Sequence, residues 1–302
     1  FPPEFVDRFR DELLQHQLRR EIVATQWAND MVNHMGPSYH YRLEEATGAS
    51  AAEIARAYAA AREIFSLPEL WKKIERLDNQ VRPEIQHEMM YDLSRLVRRG
   101  SRWLLRSCRD ELSDLPALVG RFRPGVQQVG YGLRDRLHDA ALDHWENRRD
   151  RFVDAGVHPD LAGVVAGSSG LYSSLGAIYA SEQTGVSVDL AAQVYFSASN
   201  DLKLHWLSYQ IRDLVVADHW QARARESFRD ELHIQQRQLA IQILQQEGDG
   251  SPDERIECWM ARREKHVTRW EIVLEELRAA GSRGYSVYPV VLWELGVLVE
   301  KG

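Results

Sequence analysis

The chain contains 302 residues, of which 44% are apolar, and this fraction is sufficient for a substantial hydrophobic core. Its formal net charge of −7 argues against binding to nucleic acid, because phosphates require a surplus of lysine and arginine. Two cysteines, Cys108 and Cys258, are too few for a disulfide framework, and no charged-then-apolar leader opens the sequence. We therefore expect a cytoplasmic globular protein. Because the first residue is Phe1, we also expect a piece of a longer polypeptide.

Nearly every stretch of the chain has the three-and-four spacing of apolar residues that predicts α-helix. Start signals agree, because Ser50 with Glu53 forms a candidate capping box, Ser66 precedes Leu67-Pro68, and Ser251 precedes a proline and two acids. The predicted helices cover residues 4–15, 18–35, 38–47, 51–65, 68–78, 83–112, 126–155, 159–182, 188–201, 203–216, 218–247, 253–280 and 288–299. No series of alternating β-branched runs separated by hairpin turns is present. The predicted fold class is all-α, a multi-helix bundle without significant β-sheet.

Two weakly similar segments occur in the chain at one constant offset. The tetrads at residues 47–50 and 184–187 both read Thr-Gly-x-Ser. Further matched pairs at the same offset are Tyr58 and Tyr195, Ile74 and Ile211, and Leu77 and Leu214. This self-similarity predicts duplicated helical units at about 16–112 and 158–247, followed by C-terminal helices at 253–302, all within one domain of residues 1–302.

Breaks in the helical pattern are few, and none is long enough to be a flexible linker between domains. Loops are predicted at residues 246–252, 281–284 and 121–132, where glycine and proline cluster. The last predicted long helix, 253–280, has a heptad-like apolar seam that suits packing against a second helix. Arg263 interrupts that seam once.

A stretch without charged residues extends over residues 161–181, a length that could cross a bilayer. Its apolar residues are diluted by glycine and serine, and neither end has the basic and aromatic flanks of a membrane span. We therefore expect a buried core helix whose small residues allow close packing, and no membrane association.

The sequence contains no convincing catalytic or metal-binding motif. Its 11 histidines have no metal-ligand spacing, and no glycine-rich turn between a strand and a helix is present for a nucleotide. The segment at residues 167–170, Gly-Ser-Ser-Gly, resembles the Gly-Ser-Ser loop of the helical fumarase and argininosuccinate lyase superfamily. The Pro-x-Lys-x-Asn that should follow it is missing, and a helical lyase remains only as an alternative.

One candidate site is a polar stripe on the helix predicted at 18–35. Thr25, Asn29 and Asn33 recur every four residues, with Asp30 beside them. Amides and hydroxyls in a packing surface need hydrogen-bond partners, so the stripe is predicted to bond to another helix, to another domain or to a ligand.

A second candidate site is a basic face on the helix predicted at 83–112. Its arginines, unusual in an acidic chain, are Arg95, Arg98, Arg99, Arg102 and Arg106, and Arg109 extends the row. Such a row is able to dock an acidic partner surface or an anion, and the alternative is a solvated face with local ion pairs.

Three long segments carry a family resemblance. Residues 18–36 (LRREIVATQWANDMVNHMG), 47–58 (TGASAAEIARAY) and 69–79 (ELWKKIERLDN) resemble the C-terminal helical region of the large bacterial NAD-specific glutamate dehydrogenases. The resemblance implies a parent enzyme that converts L-glutamate, NAD and water to 2-oxoglutarate, ammonia and NADH.

In that family the catalytic lysine and aspartate lie in lobes upstream of the helical region. The resemblance therefore assigns no catalytic, cofactor-binding or metal-binding residue to this chain, and NAD belongs to the parent enzyme. It implies docking on the catalytic domain of the same polypeptide, support of a homo-oligomer, or regulation. A free-standing effector-binding or protein-interaction module remains the alternative.

Overall fold

The computed structural model describes Val6 and residues 8–246, 250–281 and 284–301. In chain order, the α-helices are α1 (Arg10–Gln15), α2 (Arg19–Met35), α3 (Tyr39–Thr47), α4 (Ala51–Ile64), α5 (Leu67–Glu75), α6 (Pro83–Ser107), α7 (Leu115–Tyr131), α8 (Leu133–Arg136), α9 (Asp139–Asp154), α10 (Pro159–Ala166), α11 (Ser168–Thr184), α12 (Val188–Asp201), α13 (Leu204–Arg212), α14 (His219–Gln246), α15 (Pro252–Arg262), α16 (Glu264–Ala279) and α17 (Tyr288–Lys301). A short 3₁₀ helix at Arg109–Ser113 follows α6. These ranges contain no strand, so the predicted all-α fold is confirmed.

The loop predicted at residues 121–132 is wrong, because α7 continues through Pro124 to Tyr131. The side chain of Asp114 accepts a hydrogen bond from the Ala117 N–H (3.1 Å), and a proline in the first turn favours helix initiation. The helix predicted at 126–155 is instead divided among α7, α8 and α9. Proline and three glycines looked like helix breakers in the sequence, although all but Gly132 are accommodated within α7.

Two other predicted helices are each divided in two. The stretch predicted at 159–182 bends by 60° between α10 and α11, at Gly167. Within the described ranges no single helix has the length and apolar composition of a bilayer span, and α10 and α11 reach them only as a bent pair. The seam predicted at 253–280 breaks at Arg263, whose guanidinium lies over the Trp259 ring and donates to Gln246 Oε1 (3.0 Å).

The predicted capping box at Ser50 with Glu53 is confirmed, and the predicted cap at Ser251 also forms a capping box, with Glu254. Ser66 precedes α5 as expected, but its side chain makes no capping hydrogen bond. The loops predicted at 246–252 and 281–284 include residues 247–249 and 282–283, which lie outside the described residues.

Helices α3 to α5 and α11 to α13 follow the same pattern. The bounds of α4 and α5 recur in α12 and α13 at the constant offset found in the sequence. Gly48 and Gly185, which end the first helix of each set, both have positive φ (63° and 73°), a conformation that glycine adopts without a Cβ clash. Tyr58 and Tyr195 are both buried.

The core consists of two hydrophobic clusters that meet at α11. One cluster extends from Tyr39 to Ile178, the other from Val129 to Val299, and α11 contributes to both. A Cβ on Gly176 would lie 2.9 Å from the Tyr195 ring, so only glycine allows α12 to approach this closely. Helix α11 packs against α6, α7, α12 and α14, which is the central position expected for it.

Candidate functional site: an arginine-lined cleft

A cleft of about 730 Å³ lies between α6 and α14, with α3 and α11 completing its walls. The cleft is strongly basic. Eight arginines line it: Arg42, Arg98, Arg99, Arg102, Arg106, Arg223, Arg225 and Arg229. Three carboxylates line it, Glu45, Glu226 and Asp230. In a chain with a net charge of −7, this excess of positive charge is a local feature of the fold.

Each of the three carboxylates already has a cationic partner. Asp230 pairs with Arg102 (2.7 Å) and Arg106 (2.5 Å), which joins α14 to α6. Glu226 pairs with Arg229 (3.1 Å). Burial acts to raise the pKa of Glu226, but the guanidinium groups of Arg229, Arg98 and Arg102 lower it overall.

The third carboxylate, that of Glu45 on α3, also lines the cleft. It lies 3.1 Å from His219 Nε2 and 3.4 Å from Arg223 Nη1. All three carboxylates of the cleft therefore already have an ion-pair partner. Several arginines of the cleft have no carboxylate of the described residues within ion-pair distance.

No carboxylate of the described ranges forms an ion pair with Arg42, Arg98 or Arg99. The Arg99 guanidinium instead lies 3.8 Å from the centre of the Tyr172 ring. Burial, together with the charge of Arg229, lowers the pKa of Arg99 to about 9. Both effects disfavour the charged form of the Arg99 guanidinium, and a bound anion would favour it.

A smaller inner cavity of about 60 Å³ adjoins the cleft, and Arg99 and Arg229 line both. His233 also lines the inner cavity, where its Nε2 is buried without a hydrogen-bond partner. Its Nδ1 lies 3.1 Å from Gln236 Oε1 and 3.2 Å from the Tyr195 hydroxyl. Burial, followed by the charge of Arg99, lowers the pKa of His233 to about 3, so the ring is neutral at physiological pH.

The row of arginines predicted from the sequence is divided by the structure. Arg98, Arg99, Arg102 and Arg106 line the cleft, whereas Arg95 lines a neighbouring cavity and lies 5.7 Å over the Tyr91 ring. Arg109 lies outside the cleft and pairs with Glu53 (2.7 Å). The predicted local ion pairs are therefore present for part of the row, and the remaining arginines face a cavity.

The arginines that α14 contributes were missed by sequence reasoning. Arg223, Arg225 and Arg229 are interspersed with Glu226 and Asp230, so this segment looks like an ordinary charged helix. Only the packing of α14 beside α6 shows that its arginines share a cleft with Arg98 and Arg99.

The polar stripe on α2 is also divided. Asp30 accepts hydrogen bonds from the Tyr58 hydroxyl (2.7 Å) and Arg62 Nη1 (2.9 Å), so it ties α2 to α4. Thr25, Asn29 and Asn33 are exposed and have no hydrogen-bond partner among the described residues. No residue of α2 is buried.

The remaining motifs are placed as follows. Gly167 lies at the bend before α11, and Ser168 to Gly170 form the first turn of that helix. The described ranges contain no cluster of three or more histidine, cysteine, aspartate or glutamate residues that could bind a metal ion.

These features define a helical module that has two similar helix sets and a basic cleft between α6 and α14. The chain belongs to the family described as "Glutamate dehydrogenase, C-terminal", whose model matches residues 1–296. It is 43% identical over its full length to the NAD-specific glutamate dehydrogenase of Pseudomonas aeruginosa, and 40% identical to that of Halomonas elongata. The enzyme of the same name from Mycobacterium tuberculosis is 28% identical over 96% of the chain. The chain spans 19% of the length of the first two relatives.

Proposed function

We propose that this chain is the non-catalytic C-terminal helical domain of a large NAD-specific glutamate dehydrogenase, and that it docks on the catalytic region of the same polypeptide. The parent reaction converts L-glutamate, NAD and water to 2-oxoglutarate, ammonia and NADH. The observation that carries this proposal is the match of the whole chain to 19% of relatives with that name. A supporting role in a homo-oligomer, or in regulation, follows from the same placement.

The all-α fold favours a catalytic site in another part of the polypeptide. Dinucleotides are commonly held where a glycine-rich turn joins a strand of a parallel sheet to a helix. The ranges that the structure describes contain helices and no strand, so they offer no such turn. The proposal therefore assigns hydride transfer to the part of the relatives that this chain does not match.

The docking surface proposed here is one face of α2. At 3.6 residues per turn, Thr25, Asn29, Val32 and Asn33 fall within one sector of the helix. All four are exposed, and Val32 retains 45% of its accessible surface. An exposed apolar residue among amides that lack partners suits a protein interface with hydrogen bonds at its edge. The proposed occupant is the catalytic region, because it accounts for most of the length of the relatives.

We expect Val32→Asp, made in the long enzyme, to reduce the assembled fraction and glutamate turnover at least about tenfold, because a charge would be desolvated at the interface. The matched control is Val23→Asp, which places the same charge on the opposite face of α2, where Val23 is 50% exposed. Sedimentation velocity and NADH production measure the two effects.

Val23→Asp should leave assembly and turnover unchanged, and both variants should keep the stability of the isolated chain within about 0.5 kcal/mol of the parent. Equal behaviour of the two variants in assembly and turnover would overturn the assignment of the docking face.

A further inference from the structure

We propose that the cleft between α6 and α14 binds a small phosphorylated anion that bears two phosphate groups. This inference goes beyond the docking role, since it concerns a different surface of the chain. Arg98 and Arg99 on the α6 wall are the groups that would contact the phosphates.

The first argument is the charge of the cleft. Eight arginines face three carboxylates, and all three carboxylates are already paired. Arg42, Arg98 and Arg99 have no ion-pairing carboxylate in the part of the chain that the structure describes. Cations held close together are stabilised when an anion binds between them.

The second argument is the type of cation. The guanidinium group presents a planar set of donors that matches phosphate oxygens bidentately, whereas a solvated lysine surface would provide point charges. Eight arginines and no lysine are among the described residues that line the cleft.

The third argument is size and rigidity. A volume of about 730 Å³ exceeds what one phosphate fills and lies within the usual range of ligand pockets, about 300–1,000 Å³. Arg99 rests on the Tyr172 ring (3.8 Å), and that ring stacks on His233 (4.2 Å). Tyr172 and His233 are buried, so the position of Arg99 is fixed before a ligand arrives.

Calorimetric titration of the 302-residue chain with inorganic pyrophosphate tests the proposal. We expect saturable binding with one site per chain, which weakens as ionic strength rises because the contacts are electrostatic. Orthophosphate should bind at least about tenfold more weakly, since it offers one phosphate to the same arginines. Arg98→Gln should weaken pyrophosphate binding at least about tenfold. The matched control is Arg56→Gln, an exposed arginine of α4 outside the cleft.

Arg99→Gln is expected to weaken pyrophosphate binding further, and circular dichroism establishes whether each variant is folded. If Arg99→Gln does not fold, Arg98→Gln still decides the outcome, because Arg98 is only partly buried. Absence of saturable pyrophosphate binding, or equal affinities of Arg98→Gln and Arg56→Gln, would overturn the proposal. Binding of a hexaglutamate peptide in preference to pyrophosphate would also overturn it, and would assign the cleft to an acidic protein surface. These titrations use the isolated chain, so their outcome is independent of the docking test in the long enzyme.

Discussion

Replacing Trp270 by alanine is expected to lower the free energy of unfolding by about 3–5 kcal/mol. Trp270 lies on α16 and is 1% exposed, so its removal leaves a large cavity. Its indole N–H donates to the Leu202 carbonyl (2.9 Å), which would lose its partner in the same step. Leu202 follows α12, and Trp270 therefore anchors the C-terminal helices to the second helix set.

Urea unfolding followed by circular dichroism measures this loss. The control is Trp293→Ala on α17, where the indole is 64% exposed and its removal should cost less than about 1 kcal/mol. A loss at Trp270 as small as that at Trp293 would show that residues 253–302 do not share the core of the preceding helices.

Acidification from pH 6.5 to pH 5 is expected to destabilise the chain through His205 and His233. Burial lowers the pKa of His205 to about 4 and that of His233 to about 3, and nearby Arg99, Arg237 and Arg229 also act on His233. In the unfolded chain both rings have a pKa near 6.5. Below pH 6.5 the unfolded state therefore binds protons that the folded state does not bind, and stability falls as pH falls.

Each ring contributes a slope that rises toward about 1.4 kcal/mol per pH unit as its unfolded form becomes fully protonated. His233→Gln removes one titrating group and should reduce the slope by up to about 1.4 kcal/mol per pH unit. The control is His87→Gln, the same substitution at an exposed position of α6. Urea unfolding at a series of pH values decides the question, and an unaltered slope in His233→Gln would contradict this explanation.

Local sequence signals predicted most of the helical structure because they depend on neighbours within one or two turns. The capping boxes at Ser50 and Ser251 satisfy backbone N–H groups locally, and both are present. The paired bounds of α4 and α12 support the proposed duplication, as do the paired glycines at 48 and 185. The errors occurred where tertiary packing overrides a local signal, as at Pro124 within α7.

The sites were only partly predictable, because a side chain's partner often lies far away in the sequence. The row of arginines on α6 was visible, but its counterparts on α14 are more than a hundred residues later. Asp30 was predicted as part of the polar stripe, but it accepts hydrogen bonds from Tyr58 and Arg62. Asn29 and Asn33 are exposed. Helical spacing places residues on faces, but it does not identify which face meets another helix.

The most direct test of the central claim is an assay of glutamate-dependent NAD reduction by this chain, alone and mixed with the remainder of the long polypeptide as a separate molecule. The account predicts no turnover of glutamate with NAD by the chain alone. It also predicts higher activity of the remainder once the chain is added. Turnover of glutamate by the isolated chain would contradict the account.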